Sequence, residues 1–224
     1  MAYYGKIFSY KIGVKMEVCP LCENSSKLYY KEEFYHCSCC DGIFKSREYL
    51  LNSIEEKKRY DYHVNDSNDL RYQKFVSPIT NSVMEDRKKS DIGLDFGCGR
   101  DSPIVKVLNE NSYEILKYDP YFFDDKSVLE HKYDFITCCE VIEHLYNPKK
   151  EFELFKKLLK EDGALYLMTG IFNSSMNFEK WGYKSDPTHV FIFQEKTFEW
   201  IKEEFGFKDL RIQKNFIRLS NRKE

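Results

Sequence analysis

The sequence predicts an α/β fold, a mostly parallel sheet with helices on both faces, preceded by a small cysteine-rich module. Three observations predict it. From Ile92 onward, short apolar strand-like runs alternate with amphipathic helical ones. The first runs, GLDFGCGRD from Gly93 and EILKYDP from Glu114, read as strand, glycine turn, helix, strand and acid. Near the N-terminus, the pairs Cys19/Cys22 and Cys37/Cys40 share the Cys-x-x-Cys spacing.

Each cysteine pair forms a tight knuckle whose two thiolates face one ion, which is the pattern of tetrahedral zinc. The intervening KLYYKEEFYHC alternates like a short hairpin, and Asp41-Gly42 supplies a turn after the second knuckle. Residues 1–45 therefore read as a zinc ribbon with Cys19, Cys22, Cys37 and Cys40 as ligands. Cys39 leaves Cys37/Cys39 and Cys39/Cys40 open as substitutes for the second pair. Residues 46–90 are polar and periodic and read as a helical linker or cap. SREYLLNSIEEKKRYDYHV reads as a helix capped at Ser46, and DLRYQKFVSPITNSVMEDRKK as a second helix interrupted near Pro78. Tyr60, His63, Asn65, Arg71 and Tyr72 are its candidate ligand contacts.

Residues 91–224 hold the regular alternation. Strands are expected near 92–96, 113–118, 133–139 and 164–169, and helices near 102–110, 148–160 and 195–205. Asn147-Pro148 supplies a cap and a first-turn proline, Phe152, Phe155 and Leu159 make that helix's buried stripe, and Asp162-Gly163 is read as its stop. The tail FKDLRIQKNFIRLS contains two strand-like pieces, an antiparallel pair at the sheet's edge.

Composition bounds the function. The 224 residues accommodate one mid-sized domain plus an appendage, and 42% apolar with 17% aromatic residues suffices for a packed core. A net charge of −2 gives no general pull toward nucleic acid. No run approaches the roughly 18 apolar residues of a membrane span, and the segment MAYYGKIFSYKIGVK lacks the apolar centre of a secretory signal, so a cytoplasmic protein is expected. Among the eight cysteines, Cys98, Cys138 and Cys139 read as small buried hydrophobes.

The glycines after the first strand admit a nucleoside ligand close to the backbone, and a carboxylate ending the second strand suits two ribose hydroxyls. Taken together, DFGCG, YDP, YDFITCCEVIEHL and GALYLMT resemble the class I S-adenosylmethionine-dependent methyltransferases from Gly93 to the C-terminus. That resemblance implies a Rossmann-like, seven-stranded sheet and S-adenosyl-L-methionine as cofactor. Asp95, Gly97, Cys98 and Gly99 would shape the pocket for its methionine part, and Asp119 with Pro120 would hold the ribose. Tyr121 and Phe122 would lie beside the adenine. Asp101 replaces the family's third glycine, and an acid there would repel a pyrophosphate, which weighs against a dinucleotide.

Methyl transfer needs a nucleophile held in line with the methyl group and relieved of its proton. Glu140, Glu143 and His144 are the candidates; on a helix continuing from the strand they share one face. With His189 they match in type and order the metal-binding set of the small-RNA 2′-O-methyltransferases. The EVIEH segment also resembles ubiquinone-pathway O-methyltransferases, so the resemblance implies either a catalytic divalent metal or metal-free orientation of substrate. The aromatic segment 170–189 lies where the family places a substrate lid, with Phe178, Trp181 and Tyr183 as contacts. The expected acceptor is a small molecule methylated on oxygen or nitrogen. An RNA acceptor gripped by the ribbon is the alternative, and a non-catalytic cofactor-binding regulator is the third reading.

Overall fold

The computed structural model describes residues 15–61 and 66–223. In chain order the strands are β1 (Met16–Val18), β2 (Ser25–Tyr30), β3 (Phe34–His36), β4 (Ile43–Lys45), β5 (Ile92–Phe96), β6 (Glu114–Tyr118), β7 (Tyr133–Cys139), β8 (Leu159–Met168), β9 (Phe191–Ile192), β10 (Asp209–Gln213) and β11 (Phe216–Ser220). The helices are α1 (Ser53–Asp61), α2 (Leu70–Asp86), α3 (Pro103–Glu110), α4 (Pro148–Leu158) and α5 (Glu195–Glu204).

The larger sheet runs β10-β11-β8-β7-β5-β6. Strands β6, β5, β7 and β8 pair in parallel, while β11 pairs antiparallel to β8 and β10 antiparallel to β11. The chain leaves β5 for β6 on one side and returns to β7 on the other, which opens a crevice at the carboxyl ends of β5 and β7. Helices α2 and α3 cover one face through Val76, Ile79, Val83, Ile104 and Leu108. On the other face, α4 and α5 bury Phe152, Phe155, Phe198 and Ile201. Burial on both faces explains why the strands read as near-continuous apolar runs.

The sheet corrects the expected seven strands to six among the described residues, and its tail makes it mixed. Between β6 and β7, residues 119–132 are spent on an Asp119–Phe123 bridge and a short 3-10 helix at Lys126–Glu130. A further parallel strand would need a crossover of about a dozen residues in addition to itself.

Three local expectations also change. Ser46 caps only a 3-10 turn at Arg47–Tyr49. Helix α1 begins at Ser53, where the Asn52 side chain accepts from the amides of Ile54 and Glu55 at 3.0 and 3.1 Å. Helix α2 runs through Pro78 without interruption. Ser77 Oγ donates to the Lys74 carbonyl at 2.8 Å, the acceptor that Pro78 cannot serve. Helix α4 ends at Leu158, and Asp162-Gly163 lies inside β8 rather than stopping the helix. There the register jumps from Tyr133↔Leu159 to Phe135↔Ala164, so residues 160–163 leave the ladder.

The smaller sheet runs β1-β2-β3-β4-β9. Its last strand comes from the C-terminal half of the chain, with Ile43 opposite Ile192 and Phe44 opposite Phe191. Gly42 permits this closure, since a Cβ there would lie 2.3 Å from the Phe191 ring. Among the described residues no helix is long and apolar enough to cross a membrane.

Candidate functional site

The glycine turn after β5 is built for close approach. Gly97 and Gly99 have φ of 77° and 62°, in the left-handed region that favours glycine. A Cβ on Gly97 would also sit 2.5 Å from a Val141 methyl, so this turn abuts the segment that follows β7. The amides of Gly97 and Cys98 donate to the Tyr118 carbonyl at 2.8 and 3.2 Å, tying the turn to the end of β6. Cys98 is buried and Pro120 exposed.

Three aspartates organise this crevice. Asp119 is buried at the end of β6; its Oδ2 accepts from Gly99 N at 3.0 Å and its Oδ1 from Tyr121 and Phe122 N at 2.8 and 3.1 Å. The carboxylate is thus fixed beside the glycine turn. Asp95, by contrast, takes hydrogen bonds from Ser102 Oγ and Thr137 Oγ1, each at 2.6 Å. It ties β5 to β7 and to the start of α3, and burial pushes its pKa up to about 6. Asp101 accepts from Ser67 N at 2.7 Å. The acid in the third glycine's place therefore moors the segment leading into α2 over the turn. Arg71 is exposed and pairs with Asp69 at 2.8 Å, Tyr72 is half-buried, and His63 and Asn65 lie outside the described residues.

The acidic and imidazole groups gather at the carboxyl end of β7. The chain does not continue as an α-helix: Glu140 takes φ of 52°, and Ile142–His144 forms a single 3-10 turn. In consequence Glu143, His144 and His189 have ligand-capable atoms within 4.8 Å of one another, and Glu140 stands outside that group. Glu143 is fully buried; its Oε1 accepts from Tyr183 OH at 2.5 Å and its Oε2 from Thr169 Oγ1 at 2.9 Å. Burial raises the pKa of both glutamates, and the charge of Glu143 raises Glu140 further. His144 Nδ1 lies 3.0 Å from the Thr188 carbonyl and His189 Nδ1 lies 2.7 Å from the Tyr183 carbonyl. A carbonyl only accepts, so each ring carries its proton on Nδ1 and turns Nε2 inward. Burial, reinforced by His144, lowers His189 to about 4, so it is neutral at pH 7.

The lid residues divide. Phe178 and Trp181 pack with Phe172 beside Tyr30 and Phe34 of the ribbon. Tyr183 enters the site: its hydroxyl also accepts from Gly170 N at 2.9 Å and lies 3.4 Å from Glu140 Oε2. Gly170 admits the phenol ring, since a Cβ there would lie 2.7 Å from it. Thr169-Gly170, directly after β8, is the pair the sequence reading missed; a polar small-residue pair ending a buried strand was its only signal. Helix α1 covers the opening. Tyr60 and Tyr121 both donate to the Glu56 carboxylate at 2.9 Å, and the Tyr60 ring stands edge-on to His144.

The four ribbon cysteines converge as expected. Sγ atoms of Cys19, Cys22, Cys37 and Cys40 lie within 4.8 Å of one another, whereas Cys39 is exposed and outside the group. Thiols of Cys19 and Cys40 lower the pKa of Cys37 while their own are raised. One negative charge is stabilised internally, and the raised thiols of Cys19 and Cys40 need a cation to ionise. The set fits tetrahedral zinc.

A protein-family profile described as a methyltransferase domain matches residues 69–212. Over 38 residues the chain is 53% identical to the ubiquinone biosynthesis O-methyltransferase of Glaesserella parasuis serovar 5, a match spanning 17% of this chain and 16% of that relative. An O-methyltransferase family protein from Burkholderia thailandensis aligns in structure with a TM-score of 0.50 at 10% identity, covering 74% of this chain and 61% of that one. A SAM dependent methyltransferase from Archaeoglobus fulgidus aligns with a TM-score of 0.49 at 18% identity, covering 72% and 76%. The Burkholderia likeness speaks to the fold alone. Because the profile takes in more than half of the sequence, the chain belongs to the methyltransferase-domain family.

Proposed function

We propose that the enzyme methylates a hydroxyl or amine of a small molecule seated against Glu140, Glu143, His144 and His189. The observation that carries this reading is the adjacency of two sites. Val141 packs on Gly97, so the acid-histidine cluster begins where the cofactor's turn ends. The glycine cradle and the fixed Asp119 carboxylate fit an adenosine with an extended amino-acid arm, and that cofactor supplies an electrophilic methyl when bound. The residues supply the rest. Glu140 and Glu143, with pKa values raised toward neutrality by burial, take the acceptor's proton as its lone pair moves onto the methyl carbon. Tyr183 and Thr169 hold Glu143 in place, and α1 with Tyr60 limits the access of water.

Glu143, His144 and His189 also fit a divalent cation, since both imidazoles are oriented by backbone carbonyls in the manner of metal-ligating histidines. Such an ion would lower the pKa of an acceptor hydroxyl. The four cysteines are read as a structural zinc site, and thiols kept reduced for that role accord with a cytoplasmic location. The ribbon's β4 and its aromatic face are engaged with β9 and the lid, which favours a wall of the acceptor pocket over an RNA-gripping module.

The test is incubation with methyl-labelled S-adenosylmethionine and, in parallel, a small-molecule extract or total RNA. Label in the small-molecule fraction that disappears with Glu143→Gln is the expected result. Label in RNA alone would refute the acceptor class, and cofactor binding without transfer to either pool would refute the assignment of the cluster.

A further inference from the structure

Lys45, at the end of β4, is a buried lysine with no part in the chemistry above; it is 5% exposed. Its ammonium donates to the Pro187 carbonyl at 3.1 Å and lies 3.5 Å from Glu33 Oε1 and 5.5 Å from the centre of the Phe34 ring. Its backbone amide donates to the Val190 carbonyl at 2.8 Å. One ribbon residue thus holds the strap 187–190 at both ends. Burying an ammonium is costly, and a methionine would fill the same space without that cost. The reason for a lysine lies in what its Nζ holds.

The strap carries one histidine of the candidate site and orients the other. His189 belongs to it, and His144 is oriented by the Thr188 carbonyl at 3.0 Å. From inside, Val190 N donates to the Glu143 carbonyl at 2.8 Å; from outside, Arg59 pairs with Asp186 at 2.8 Å. The line back to the cysteines is short. Asp41 N bonds to the Cys37 carbonyl at 2.8 Å and Cys37 N to the Gly42 carbonyl at 2.9 Å, which sets the turn from which β4 departs. Holding Cys37 and Cys40 on one ion therefore fixes β4, and β4 presents Lys45.

We propose that Lys45 is a positioning residue for His144 and His189, and that the four-cysteine centre serves the acceptor side of the active site through it. The inference rests on the reading of these histidines as site residues, but its readout requires no turnover. The experiment records imidazole nitrogen NMR spectra of full-length, zinc-loaded protein as wild type, Lys45→Met and Lys45→Arg. Wild type shows both histidines as Nδ1–H tautomers. In Lys45→Met both shift toward a tautomer mixture and protection of the Val190 amide from hydrogen exchange falls about ten-fold, while S-adenosylhomocysteine affinity stays within about two-fold. Lys45→Arg, which keeps a donor, restores the wild-type signature. Unchanged tautomers and protection in Lys45→Met overturn the proposal. If that variant does not fold, removal of zinc from wild type reads the same signals, and unchanged histidine tautomers in the zinc-free protein overturn it equally.

Discussion

Asp95→Asn removes one buried ionisation from the centre of the parallel sheet. Asp95 is 2% exposed, and burial lifts its pKa from 3.8 to about 6 against the opposing pull of Ser102 and Thr137. A carboxyl whose folded pKa is raised contributes its full stability below the unfolded value, near 3.8, and loses it as pH rises through about 6. At 1.36 kcal/mol per unit, the whole interval is worth about 3 kcal/mol. Asparagine has the same shape. Its carbonyl accepts from one hydroxyl, and the other hydroxyl turns to accept from its amide. In urea unfolding, the stability of Asp95→Asn relative to wild type should therefore grow by about 1.4 kcal/mol between pH 5 and pH 7.5. The slopes against urea should match, since the surface exposed is the same. A difference that stays flat or shrinks over that interval refutes the ionisation argument, because every other titrating group cancels between the two proteins.

Gly97→Ala places a Cβ at φ of 77° and 2.5 Å from Val141; calorimetry should show S-adenosylhomocysteine affinity lowered at least about ten-fold and stability by about 1–2 kcal/mol. Cys37→Ser should abolish bound zinc by elemental analysis, whereas Cys39→Ser leaves the metal content unchanged; loss in both would mean that the exposed Cys39 is a ligand. Tyr183→Phe removes a donor that lowers the Glu143 pKa, so the rise of activity with pH should move to higher pH; an unmoved rise would exclude Glu143 as the titrating base.

What the sequence made legible followed local rules. Strands β5, β6 and β7 and helices α3, α4 and α5 fall within a few residues of the expected spans, because each is a buried run or an amphipathic stripe bounded by its own cap or turn. Pro78 misled because Ser77 repairs the helix next to it, a relation visible only once the helix exists. The seventh strand came from resemblance rather than from the residues, whose own strand-like runs numbered six. The candidate site was legible by residue type but not by arrangement. Glu140 at φ of 52° turns the chain out of the expected helix, so that Glu143 stands with the two histidines while Glu140 joins it only through the Tyr183 hydroxyl and its charge. The pairing of Phe44 with Phe191 had no local sign at all, since a two-residue strand gives no periodicity.

The two sides of the site are held by different physics. The proposed cofactor side, Gly97 to Gly99 with Asp119, is set by hydrogen bonds between the ends of the adjacent parallel strands β5 and β6. The acceptor side has no such frame. Tyr183 reaches Glu143 from a lid that adds no strand to the large sheet, and His189 rides on a strap fastened to the ribbon by β9 and Lys45. Backbone in the core of a sheet opens at higher free energy than a segment held by a few bonds, as lid and strap are here. On the proposed function, the acceptor side could thus rearrange without disturbing the bonds around Gly97 and Asp119. The β4–β9 pair and the Lys45 bond to Pro187 are the ribbon's fastenings on that strap, and on the proposal above they keep His144 and His189 aligned.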